Sequence, residues 1–94
     1  MEASPRADIK EIIIDVESFI EGVGDDKVRV MLMELEMYMQ DYERSAAIAY
    51  VSGNCSHNKH LCNIALNGMH DDEVKELMGV ARDKLVSEIE RRKA

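Results

Sequence analysis

Tryptophan is absent from this chain, proline and phenylalanine occur once each, and cysteine occurs twice. Each scarcity removes a class of protein. Two cysteines cannot build the disulfide framework of a small secreted domain, so a reducing compartment is the expected setting. No apolar run approaches the ~20 residues that span a bilayer. Ile12-Ile13-Ile14 is bracketed by acids and too short for the core of a signal peptide. The expected location is the cytoplasm, or the host cytoplasm should the gene be viral. With only 4% aromatic residues, the core must be filled by Leu, Ile, Val and seven Met. Methionine is flexible and polarizable, which suits irregular packing and adaptable surfaces.

The usual catalytic signatures are missing as well. Bundle di-iron centres need Glu-x-x-His, but the residues three before the histidines are Asn54, His57 and Asn67. Gly22-Val23-Gly24 lacks the later glycines and the flanking strand of a phosphate loop. Glu11, Asp15, Glu17 and Glu21 are numerous enough to suggest acid–base work. They fall on the polar side of a helix, however, where a solvated charged face explains them. No enzyme activity is expected.

What remains is 94 residues, 46% apolar and 33% charged. That length makes one domain, residues 1–94, able to collapse but with a thin core. The net charge of −7 sits in the first half, where residues 1–47 hold twelve acids against five bases. Such a surface repels phosphate backbones, and direct nucleic-acid binding is not expected. The basic run Arg91-Arg92-Lys93 suits the negative end of a helix dipole.

Periodicity predicts an all-α fold, a small antiparallel helical bundle of three longer helices and one short one. The first helix covers about 5–22, with Ser4 as cap, Pro5 in the first turn and a stripe of Ile9, Ile12, Ile13, Val16, Phe19, Ile20 and Val23. Gly22-Val23-Gly24 should stop it by a left-handed glycine. Asp25-Asp26 should cap a long central helix of about 26–51, ended by Ser52-Gly53-Asn54. The short helix, about 59–67, has Asn58 as cap and Gly68 as stop. The last covers about 71–92 and buries Val74, Leu77, Met78, Ala81, Leu85 and Ile89. Gly79 inside it marks either a close helix crossing or a tolerated weakness.

The central helix carries two apolar faces. Val28, Met31, Leu32, Leu35, Tyr38, Met39, Tyr42, Ala46, Ala49 and Tyr50 fall on one side at 100° per residue. Val30, Met33, Met37 and Ile48 gather opposite, flanked by Glu36 and Glu43 on one edge and Glu34 and Asp41 on the other. That second face can serve a third helix of the same chain or another molecule. A thin bundle cannot cover a long helix all round, so it is read as an interface of Val30, Met33, Met37 and Ile48. Tyr38 and Tyr42 should stack at i,i+4, and with Met39 they outline a possible small-ligand pocket.

One constellation resembles a metal site: Cys55-Ser56-His57-Asn58-Lys59-His60-Leu61-Cys62. Cys55, His57, His60 and Cys62 are the right donors for zinc. Their C-x-H-x2-H-x-C spacing is nevertheless cramped, and His60 and Cys62 diverge by about 200° on a helix. The favoured expectation is no cofactor, with Cys62 in the core and the histidines as polar loop groups. A Cys55–Cys62 disulfide is sterically possible but suits an oxidising compartment.

Three functions stay in view. The first is a non-enzymatic, acidic protein–protein interaction module that forms homo-oligomers through the Met-rich face. The second is a mobile-element or viral inhibitor of a nucleic-acid-binding machine, with the acidic half imitating phosphates. The third is a zinc- or ligand-binding bundle.

Overall fold

Apolar residues three and four apart become buried helix faces, and the computed structural model shows where each face goes. It describes residues 5–56 and 59–93, with side chains from residue 9 onward. Within them lie five helices: α1 (Pro5–Glu21), α2 (Asp25–Gln40), α3 (Arg44–Ser52), α4 (Lys59–Asn67) and α5 (Asp71–Lys93). No strand occurs among the described residues. Ser4, His57 and Asn58, expected as cap, ligand and cap, lie outside them.

The fold is all-α, but its centre is α5. Helices α1, α2 and α3 all pack on α5, and α4 packs on α3. Val74, Leu77, Met78, Ala81 and Leu85 of α5 meet Ile12, Val16 and Ile20 of α1 and Val28, Met31 and Leu35 of α2 in one buried cluster. Fully burying side chains of this size contributes about 1.5–3 kcal/mol each. Gly79 marks no close crossing, since a Cβ built there meets nothing within 4 Å.

Ion pairs fix the directions. Asp25 at the start of α2 meets Arg92 near the end of α5 at 2.9 Å, and Glu36 meets Arg82 at 3.4 Å. Helix α2 therefore runs antiparallel to α5. Helix α1 runs parallel to it, because Ile9 and Lys10 lie beside Glu73 and Glu76 while Glu21 meets Lys84 at 2.6 Å. The expected antiparallel neighbours hold for α2 on α5 and not for α1 on α5.

The central helix is not continuous. It breaks at Asp41-Tyr42-Glu43, with no glycine or proline to force the break. Asp41 takes φ −115° and ψ 61°. Glu43 then caps α3, its carboxylate accepting from the Ala46 N–H at 2.9 Å and the Ser45 N–H at 3.4 Å. What holds the bend is tertiary. The Tyr42 hydroxyl donates to Asp71 at 2.8 Å, and the Arg44 guanidinium donates to Asp71 and to the Asn67 carbonyl, each at 3.0 Å, and to the Met69 carbonyl. Lys75 lies 4.8 Å over the Tyr42 ring. The bend re-aims α3, so Ala47, Ile48, Val51 and Ser52 become its buried residues and Ala49 turns outward.

Helix ends also differ from expectation in their chemistry. No described glycine has positive φ. Helix α1 instead closes with the Gly22 N–H on the Phe19 carbonyl at 3.1 Å and the Val23 N–H on the Ile20 carbonyl at 3.3 Å. Asp25 and Asp26 lie inside the first turn of α2, whose N-cap is Gly24. At α5 the Glu73 carboxylate reaches back to the His70 N–H at 2.9 Å, half of a capping box.

Candidate functional site

The described residues leave the outer side of α2 uncovered. Val30, Met33 and Met37 recur at three- and four-residue steps and are 50%, 67% and 63% exposed. Packing against α5 on one side and α3 on another keeps the strip pointed away from the core. Two residues brace its edges. Glu36 leans toward α5 through Arg82, and Glu34 lies 3.2 Å from the Tyr50 hydroxyl of α3. Ile48 does not belong to this strip: it is only 2% exposed. Its placement on that face extrapolates one helical phase across a bend that changes the phase.

The three residues expected to outline a ligand pocket are dispersed. Tyr38 pairs with Tyr50 and not with Tyr42, the ring centroids being 4.9 Å apart and tilted by 34°. Tyr42 lies in the bend and is committed to Asp71 and Lys75. Met39 is half-buried against the core. An open cleft of about 490 Å³ does form at the bend, lined by Met37, Tyr38, Gln40, Asp41 and Ala46. It adjoins the strip through Met37 and contains no cluster of nucleophile, base and orienting group.

Of the four candidate zinc ligands, the structure brings Cys55 and Cys62 together and leaves His60 exposed. Both cysteines are buried free thiols that neighbour each other, and the Cys55 thiol donates to the Val51 carbonyl at 3.6 Å. Burial, and then the neighbouring Cys62, push the Cys55 thiol well above its ordinary range. Such a thiol is a poor nucleophile and a poor ligand without a metal to deprotonate it. Among the described residues no three His, Cys, Asp or Glu side chains gather as a metal cage. His57 lies outside them.

Three features fall outside the sequence-based expectations. Glu88 is buried at 3% exposure and is gripped by Arg91 at 2.7 Å, Arg92 at 3.1 Å and Lys84 at 3.8 Å. Hydrogen bonds from Arg91, outweighing the burial that opposes them, hold its carboxyl down to about 2. Its three-residue step from Leu85 is the signal that could have found it. The Tyr42–Asp71–Arg44 junction is a second, and its i to i+29 separation leaves no local trace. The third is an outer patch on α4, where Leu61 and Ile64 are 61% and 56% exposed.

No described helix is long and apolar enough to cross a membrane. No family model matches the chain, and neither the curated proteins nor the solved structures contain a detectable match.

Proposed function

We propose that this protein is a non-enzymatic interaction module that self-associates through the outer strip of α2, in a reducing cytoplasm. One observation carries the reading: Val30, Met33 and Met37 form a continuous apolar strip on a well-supported helix and are each at least half exposed. Scattered exposed apolar residues are ordinary on any surface, but a strip at helical spacing is the pattern that helix pairing uses. Methionine at two of the three positions gives a surface that can adapt to its partner. The two free thiols fit a compartment that keeps cysteines reduced.

Sedimentation equilibrium tests this directly. The protein should show a concentration-dependent rise in mass between about 10 µM and 1 mM, the range expected of a small interface. The Met33→Glu, Met37→Glu double variant should remain fully helical and stay monomeric. A wild-type chain that is monomeric throughout overturns the reading.

A further inference from the structure

The charges beside the strip specify which way a partner lies. One edge of α2 carries Lys27 and Glu34, and the other carries Arg29 and Glu36, all four exposed. Each edge thus reads basic and then acidic, seven residues apart. A second copy laid antiparallel presents acidic and then basic along the same edge. Every one of the four charges then faces its opposite. A parallel copy does worse, because its facing edges are offset by roughly five residues, which pairs Arg29 with Glu34 but leaves Lys27 and Glu36 without an opposite charge within the helix.

We propose that two copies pair through α2 about a two-fold axis between Val30 and Met33, a reading that rests on the function proposed above. In this register Val30 packs on Met33 of the second copy, and Lys27 and Arg29 meet its Glu34 and Glu36. The contact is self-complementary, as a two-fold interface must be. Met37 faces Asp26 of the second copy at each end, where Asp26 stays wet in the exposed first turn of its helix. The strip is short, about 10 Å from Val30 to Met37 at 1.5 Å per residue. Its pairing is accordingly weak and reversible, below the size of standard stable interfaces. The edge charges decide direction and register more than strength.

Charge reversal in mixed samples tests the register. Lys27→Glu and Glu34→Lys, each alone, should weaken self-association about three- to tenfold at low salt. An equimolar mixture of the two should associate at least as tightly as wild type, since the introduced carboxylate of one variant then faces the introduced ammonium of the other. Arg29→Glu mixed with Glu36→Lys repeats the test on the second edge, should one variant of the first pair lose its helical circular dichroism. Asp26→Leu should tighten the dimer by removing the acid opposite Met37. If wild type associates and Met33→Glu abolishes it, yet neither mixture recovers association, the antiparallel register is overturned while the function reading stands. If wild type never associates, both fall.

Discussion

The Arg92 guanidinium of α5 donates to the Val23 carbonyl at 2.9 Å, just beyond the end of α1. The same group also reaches the Ile20 and Glu21 carbonyls at 3.5 and 3.4 Å, and Asp25 at 2.9 Å. One side chain thus caps α1, ties down the connection to α2 and neutralises part of Glu88. A cation placed on helix-terminal carbonyls is favoured by the helix dipole. Arg92→Ala should destabilise the protein by about 1.5–3 kcal/mol, the range for hydrogen bonds to charged groups. Arg92→Lys should recover only part of it, because an ammonium cannot replace the planar fork. Urea unfolding followed by circular dichroism measures both.

Glu88 makes stability depend on acid. Its carboxyl is held down to about 2 in the folded chain, against about 4.3 when unfolded. The folded state therefore prefers the ionised form. That contribution is complete above the unfolded value and is lost as pH falls from about 4.3 toward 2. Glu88→Gln should flatten the stability profile across this window while lowering stability at pH 7. An unchanged profile in the variant would contradict the assignment.

Gly79 is the simplest place to strengthen the fold. It lies within α5, and a methyl group there meets no neighbour. Gly79→Ala should raise stability by about 1 kcal/mol through helix propensity alone. A thermal melt should shift upward without change in the folded spectrum.

Glu43 and Arg44 keep the bend. Removing the Glu43 cap with Glu43→Ala should cost about 1 kcal/mol. Arg44→Ala should loosen the junction with Asn67, Met69 and Asp71 and raise amide exchange selectively in residues 41–45. Asp71 stays ionised more readily than an ordinary aspartate because Tyr42, and then Arg44, donate to it.

The buried thiols predict slow chemistry. Cys55 and Cys62 should react with an alkylating reagent at a rate set by opening of the chain. Mild urea should accelerate the modification of both together. Rapid alkylation of either in the native protein would contradict their burial.

Much of the architecture is legible in the sequence because it is local. Ile9, Ile12, Val16 and Ile20 announce α1 by spacing, and α4 ends where Asn67-Gly68 says it should. The bend at Asp41-Tyr42-Glu43 is not legible, because it contains no Gly or Pro to break a helix and its tertiary partners lie at the end of α4, at the start of α5 and between them. Without the bend, Ile48 falls on the wrong face. The bend also replaces a Tyr38–Tyr42 stack by a Tyr38–Tyr50 pair. Glu88 escapes for a different reason: a hydrophobicity pattern has no place for a charge that is buried because its partners come with it. The strip Val30, Met33, Met37 is readable, since it needs only the phase of one uninterrupted helix.

The position of α5 as both the hub and the last of the five described helices bears on how the molecule is made. A growing polypeptide synthesises the apolar stripes of α1 and α2 well before the element both require as a support. Until then those stripes are sticky surfaces on an emerging chain, open to chaperones and to one another. Only when the late helix arrives can the apolar stripes of α1 and α2 be buried against it.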